Sequence, residues 1–496
     1  MEKGSFIKNK KKIVIWSIFV FAIIINVYLY VHIINNFPHL LSSFESPYLS
    51  ISENLYEHGE YSQSYSEDRV PDASVLPVAP IIGYFVYSVF GVGLTALEVL
   101  RIILMLSNFG IIIVAYYIGK IFNYKIGCVA AFLAAADVSM FCWSNNFKPD
   151  MLYAFLFTLS VYFLVKFVKL KQSKKNIILA SLFLGLAVLT KSGLYILFYP
   201  ISGFLLAFLL FIKKKSFIKS FYYVGLFVVI QLVFIMGWQV RNYQATGVMD
   251  YSSKVGEMLL FKKHIPYVIA YQEGISNQEA RERMRKKYDT EDIMKLDAAA
   301  RSEYFKKVAF SIVLRSPLVY AIVIAKTSPQ LFLGTTPPDF LYTKQKREDL
   351  FEILQVELYD YYDHNSPNLP MLTKRVPAYT GPFSSSHLLK KLWDSNHYSY
   401  IFLWSIIKAH VLLIYLMTII GCFLILRDKS DRWVLVLMVL IIIFYVPVLG
   451  PETASRHRAI LMPIFYFLSS YGLIWLGKVL QQFIKRRNLN EESSKI

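Results

Sequence analysis

Phe221-Tyr-Tyr-Val-Gly-Leu-Phe-Val-Val-Ile-Gln-Leu-Val-Phe-Ile-Met-Gly-Trp238-Gln-Val240 runs without a charge and then meets Arg241-Asn242-Tyr243. A helix rises about 1.5 Å per residue, so about 20 such residues cover a hydrocarbon layer of roughly 30 Å. The segment therefore reads as a membrane span that ends on a guanidinium. A guanidinium at the water edge of a span either anchors the helix at the interface, as Trp and Arg commonly do, or meets an anion such as a charged lipid headgroup.

The rest of the chain repeats the pattern. Its 496 residues are 55% hydrophobic and 16% aromatic, with a mean hydropathy of +0.44. That exceeds the apolar share of a soluble globular protein and points to a polytopic membrane protein. The net charge of +19 could serve nucleic acid, but the cations fall in short clusters between apolar runs, where they orient helices; no nucleic-acid partner is expected. Cys128, Cys142 and Cys422 lie in or beside apolar runs and read as core packing rather than a disulfide framework or a metal site.

Basic residues Lys8 to Lys12 precede apolar Val14 to Ile34, which is too long for a signal-peptide core and reads as a retained first span. Further spans are expected near Leu97–Ile118, Ile126–Trp143, Met151–Val168, Ile177–Thr190, Gly193–Ile212, Tyr400–Leu426, Trp433–Leu449 and Ile460–Trp475. Lys120 with Lys125, then Lys169 to Lys175, Lys213 to Lys219, Arg427 to Arg432 and Lys478 to Arg487 make every second connection basic. By the positive-inside rule both termini are cytoplasmic, and Arg241 and Gly450–Arg458 lie outside. Leu76–Gly91, carrying Pro77 and Pro80, reads as an interfacial helix. Val308–Leu333 is interrupted by Arg315, Pro317, Lys326 and Pro329; an interfacial or re-entrant helix is favoured there over a broken pair of crossings.

These boundaries give a basic amino terminus (1–12) and a first transmembrane module (13–240) whose outer loop spans 35–96. An extracytoplasmic region (241–399), carboxy-terminal spans (400–478) and a basic tail (479–496) follow. No HExxH, GxxxxGK, GxGxxG or Cys/His cluster occurs. No cofactor is expected, and a divalent metal is left open.

The chemistry then rests on ionisable residues at outer helix ends. Glu45 opens the first loop and Asp150 starts a span; each could equally be a carboxylate placed on a helix N-terminal dipole. Arg69, Lys191, Arg241, Arg456 and Arg458 are the cations on that side. Lys191 could simply snorkel, but two arginines outside oppose the positive-inside trend and point to an anionic partner. A carboxylate that takes a proton from an attacking hydroxyl, beside cations that stabilise a departing phosphate, is a set suited to group transfer from a lipid phosphate.

Several segments resemble, in order, the bacterial membrane glycosyltransferases related to protein O-mannosyltransferases and aminoarabinose-lipid A transferases. They are Glu45-Ser-Pro-Tyr48 with Asn54-Leu-Tyr-Glu-His-Gly59, Arg69-Val-Pro71 with Tyr87-Ser-Val-Phe-Gly91, Lys148-Pro-Asp150, Leu189-Thr-Lys191, Trp238 to Tyr243, Arg315-Ser-Pro317-Leu-Val-Tyr320, and Glu452 to Pro463. The resemblance implies an all-α polytopic membrane protein, a GT-C-type bundle of about 10–12 transmembrane helices with juxtamembrane helices in its extracytoplasmic loops. It implies a polyprenyl-phosphate-linked sugar as donor, a lipid, protein or glycan acceptor, an extracytoplasmic active site and inversion at the sugar. Glu45 falls where the family usually has Asp as base, and Asp150 where it often has a second, supporting acid. Arg241 and Arg456 or Arg458 fall where the donor phosphate is faced. A lipid-linked glycan polymerase or ligase and a secondary transporter are the rival readings; the transporter lacks its paired inverted repeat of interrupted helices here.

Overall fold

The computed structural model describes residues 2–36, 46–66, 69–144, 148–170, 172–247, 249–252, 254–333, 393–451 and 455–493. Among them every regular element is a helix. Hydrocarbon offers no partner to a backbone N–H or C=O, so long apolar segments satisfy their own bonds as helices.

The chain runs α1 (Glu2–Asn36), α2 (Pro47–His58), α3 (Val78–Phe90), α4 (Leu94–Lys120), α5 (Tyr124–Ala135), α6 (Val138–Ser144), α7 (Asp150–Lys169) and α8 (Lys174–Val188). A 3₁₀ segment (Ser192–Leu197), α9 (Phe198–Ala207) and a π-helical turn (Phe208–Ile212) form one continuous span before α10 (Phe217–Thr246). The shorter α11 (Val255–Glu257), α12 (Ile265–Glu273), α13 (Asn277–Tyr288) and α14 (Glu291–Met294) lead to α15 (Ala298–Arg315) and α16 (Pro317–Leu333). The last spans are α17 (Tyr398–Arg427) and α18 (Arg432–Leu449), then a 3₁₀ turn (Ser455–Ile460) and α19 (Met462–Ser493).

Among the described residues eight helices are long and apolar enough to cross a membrane, or up to ten if two bent pairs each count as one span. The larger count is the lower end of the expected range. The first bent pair is α5 with α6, turning 59° at Ala136-Asp137, inside the stretch expected as a single span. The second is α15 with α16, turning 95° at Ser316, where Arg315 and Pro317 interrupt the apolar run.

Helix α8 has 15 residues and falls short of a full crossing by length. It nevertheless brings the chain back beside the start of α7, because Lys191, just past its end, pairs with Asp150. Helices α7 and α8 thus pack as an antiparallel hairpin.

Small residues set the closest helix contacts. A Cβ on Gly421 of α17 would run into the Leu468 carbonyl of α19, and one on Gly472 into the Met417 carbonyl, so these two spans touch backbone to backbone. Gly119 and Gly127 do the same for α4 and α5. The basic turns gather on one face: Lys169 pairs with Asp431, the Tyr223 hydroxyl donates to the Gln172 carbonyl (3.2 Å), and Lys174 lies over the Tyr222 ring (4.9 Å).

On the opposite face the first loop folds over the bundle. Ser52 of α2 donates to the Pro80 carbonyl (3.1 Å) and sits where any side chain at Gly83 would be, which seats α2 on α3. Helix α3 has 13 residues, too few to cross a membrane. The region after α10 has its own small core around Phe261, Ile265, Met284 and Phe305, tied back by the Lys306–Asp250 ion pair. The cap expected over Gly334 to Tyr398 falls almost wholly outside the described residues.

Candidate active site

Asp150 is the first residue of α7, directly after Pro149, and is only 4% exposed. Its Oδ1 accepts from the Lys191 ammonium. Its Oδ2, also buried, has no hydrogen-bond partner among the described residues. Leaving a buried acceptor unpaired costs about 1–3 kcal/mol, so this oxygen favours any donor that reaches it. The connection after α8 is fixed where Lys191 needs it, because the Leu189 carbonyl accepts the Val78 N–H (3.2 Å) and ties α8 to the start of α3.

Three further groups surround the carboxylate. Lys148 is held below the ordinary lysine range, first by burial and then by the positive charges of Arg456 and Lys191, with Asp150 opposing. Tyr48, in the first turn of α2, has its phenol pushed up to about 12 by burial and by the charge of Asp150, against the opposing charge of Arg456. Arg456, in the 3₁₀ turn before α19, is partly buried, and its Nε has no hydrogen-bond partner among the described residues. His457 also lies within electrostatic reach of Asp150. Four segments distant in sequence thus converge on one point, with cations in excess of acids.

A cleft opens beside this cluster, walled by apolar side chains such as Leu49, Ile82 and Leu104, with Tyr48 and Lys148 also lining it.

Arg241 takes a different place. Its guanidinium lies over the rings of Tyr61 (4.4 Å) and Trp238 (4.9 Å), donates to the Asp72 carbonyl and reaches Asn242 Oδ1 (3.0 Å). Arg241 therefore pins the first loop onto the end of α10, with cation–π contacts worth about 0.5–2 kcal/mol. The Tyr61 hydroxyl donates to the Val75 carbonyl (3.0 Å), and its pKa is raised by burial first and then by Asp72, with Arg241 opposing. Tyr61 is also within electrostatic reach of Tyr48, so this staple borders the Asp150 cluster. Arg69, on the same loop, has a buried Nε without a hydrogen-bond partner among the described residues.

Arg458 points away from the cluster. It is 2% exposed and donates from Nη1 to the Phe332 carbonyl at the end of α16 (2.8 Å). Of the residues expected in the site, the structure groups Asp150, Lys191 and Arg456, borders them with Arg241, and turns Arg458 toward α16; Glu45 lies outside the described residues. Lys148 and Tyr48 join the cluster without having been assigned a role. Both stood in the segments that carried the resemblance, and only their neighbours there were singled out.

Among the described residues no group of three or more His, Cys, Asp or Glu could hold a metal. All three cysteines are free, two of them buried.

No curated protein matches the chain in sequence. Among solved structures it is similar to the oligosaccharyltransferase of Archaeoglobus fulgidus in its apo form, at 12% identity and a TM-score of 0.46, over 96% of this chain and 52% of that one. The same enzyme, named AglB, in complex with an inhibitory peptide and a dolichol-phosphate scores 0.45 at 12% identity, over 96% and 51%. ArnT from Cupriavidus metallidurans bound to undecaprenyl phosphate scores 0.35 at 13% identity, over 86% of this chain and 71% of that one. The chain spans about half the length of the archaeal enzyme, and these likenesses are too distant to support residue-by-residue comparison. The family described as dolichyl-phosphate-mannose-protein mannosyltransferase matches residues 71–238, from the first loop through α10, including Lys148, Asp150 and Lys191. Over that third of its length the chain is similar to this family, the same group that its loop motifs resemble.

Proposed function

We propose that the protein is a membrane glycosyltransferase that moves a sugar from a polyprenyl-phosphate carrier to an acceptor hydroxyl, at the face where Asp150 lies. The observation that carries this reading is the excess of cations around one buried carboxylate: Lys148, Lys191 and Arg456 against Asp150, with Lys148 also lining an apolar cleft beside them. When the bond between the anomeric carbon and the phosphate oxygen breaks, its electron pair stays on the phosphate, whose charge becomes more negative. Fixed cations in a poorly hydrated site stabilise that growing charge more than the ground state. The acceptor oxygen forms the new bond to the anomeric carbon from the opposite side, inverting it, and its proton goes to a carboxylate.

Asp150 is a poor candidate for that base, since its Oδ1 is already engaged by the Lys191 ammonium. Its role is to hold Lys191 in place and to offer Oδ2 to a donor on substrate. The proton then falls to Glu45, as the family resemblance implies. The basic face, by the positive-inside rule, is cytoplasmic, which puts the site outside.

The test is transfer from a panel of radiolabelled polyprenyl-phosphate sugars by purified protein in bilayers. Wild type should transfer at least one sugar, and Glu45→Gln and Arg456→Gln should each lose about a hundred-fold or more with the fold intact. Transfer undiminished in Glu45→Gln would move the base to another acid. No transfer with any donor, alongside solute flux in liposomes, would replace the enzyme with a transporter.

A further inference from the structure

The short 3₁₀ turn at 455–460 carries two arginines with two destinations. A 3₁₀ helix advances about 120° per residue, so side chains two apart leave it in different directions. Arg456 lies within electrostatic reach of Asp150, Lys148 and Tyr48. Arg458 faces the carboxy-terminal end of α16.

That helix end is held unusually firmly. The Phe332 carbonyl accepts from Arg458 Nη1 (2.8 Å) and from the Tyr415 hydroxyl (3.0 Å), and the Leu333 carbonyl accepts from Lys408 Nζ (2.7 Å). The last carbonyls of a helix have no partner within it and carry its negative dipole end, so two cations and a phenol are matched donors. The buried charge of Arg458 has a counterpart in Asp137, at the break between α5 and α6. Both lie within electrostatic reach of Tyr415 and Tyr466, and the Tyr466 hydroxyl donates to Asp137 Oδ2 (2.7 Å). Near its other end α16 is fixed as well: the Tyr320 hydroxyl donates to the Pro447 carbonyl (3.2 Å) and meets His264 Nδ1 (2.7 Å). Both ends of α16 thus tie to the segment that runs from α18 into the 455–460 turn.

We infer that Arg458 is a positioning residue that locks α16 to the 455–460 turn, so that the place of Arg456 beside Asp150 depends on where α16 sits. The inference rests on the proposed reading of the Asp150 cluster as a lipid-phosphate site. It assigns Arg458 to the clamp rather than to the phosphate.

The experiment uses the full chain in nanodiscs, with a long-chain polyprenyl monophosphate as probe. Amide hydrogen exchange over 317–333 and 455–460 is read beside probe affinity in wild type, Arg458→Lys, Arg458→Gln and Tyr415→Phe. The last variant removes one donor from the Phe332 carbonyl and one neighbour of Arg458 while leaving every residue of the 3₁₀ turn unchanged, and it serves if Arg458→Gln does not fold. Arg458→Gln should speed exchange in both segments and weaken the probe about ten-fold. Arg458→Lys should restore much of both, and Tyr415→Phe should show the same pair of effects more mildly. Faster exchange at 317–333 alone in Tyr415→Phe, with 455–460 and affinity unchanged, overturns the coupling. Weaker affinity in Arg458→Gln with exchange unchanged makes Arg458 a direct phosphate ligand and also overturns it. If wild type binds no probe, the lipid-phosphate reading falls, while the exchange result in Tyr415→Phe still decides the clamp.

Discussion

Lys148 shows how one residue can be tuned by its neighbours. Burial and two nearby cations lower its pKa, with Asp150 only partly opposing, so it gives up its charge at a lower pH than a free lysine would. A phosphate binds the protonated form. If the cluster holds a lipid phosphate as proposed, affinity for a polyprenyl monophosphate should be full well below that lowered pKa and decline as pH rises through it. A guanidinium in the same place keeps its charge throughout. We predict that Lys148→Arg flattens the alkaline fall in affinity, and that Lys148→Met removes it by lowering affinity about ten-fold at neutral pH, where a charge-assisted contact is lost. Titration calorimetry or tryptophan fluorescence across the pH range checks both. Asp150 and Lys191 set the opposite example, a pair in which the buried member, Asp150, needs the half-buried Lys191 to compensate its charge.

Among the elements, α17 and α19 are matched by what their surfaces lack. With Gly421 facing the Leu468 carbonyl and Gly472 facing the Met417 carbonyl, the helices approach too closely for a side chain at either point. Association of spans in a bilayer has little hydrophobic drive, so it depends on this close packing and on contacts such as the Thr418 hydroxyl to the Phe465 carbonyl (3.4 Å). Gly472→Val should force the pair apart and cost about 1–3 kcal/mol, as overpacking typically does. A lower midpoint of thermal unfolding in detergent would register it. Gly477, on the same helix, has open space where a side chain would go, so Gly477→Ala should leave the midpoint near wild type.

The whole molecule is polarised. One face gathers Lys125, the 169–175 turn, the 213–219 turn and the 428–432 turn; the other carries the Asp150 cluster, the first loop and helices α11 to α14. Single cysteines tell the two apart. In a background without native cysteines, Ser276→Cys, exposed before α13, should react with a membrane-impermeant maleimide in intact cells. Lys125→Cys, exposed at the start of α5, should react only after permeabilisation. The reverse pattern would put the site in the cytoplasm and remove the topological argument for an extracytoplasmic transfer.

Hydropathy and charge are local properties, which is why the spans, the basic turns and the break at Arg315-Ser316-Pro317 could be read directly from the residues. An apolar run of about 20 residues has few ways to sit in a bilayer other than as a helix. The 59° bend at Asp137 escaped that reading, because hydropathy averages over a single acid inside an apolar run. The site was legible only as a roster: Asp150, Lys191 and Arg456 were visible as outer helix ends, but nothing in their spacing says that they meet. Their meeting follows from the α7–α8 hairpin and from the packing of the 455–460 turn against α7. The same packing separates residues that look alike in the chain. Arg241, Arg456 and Arg458 are three arginines beside ends of spans, and side-chain surroundings make one a loop staple, one a neighbour of the carboxylate and one a contact of α16.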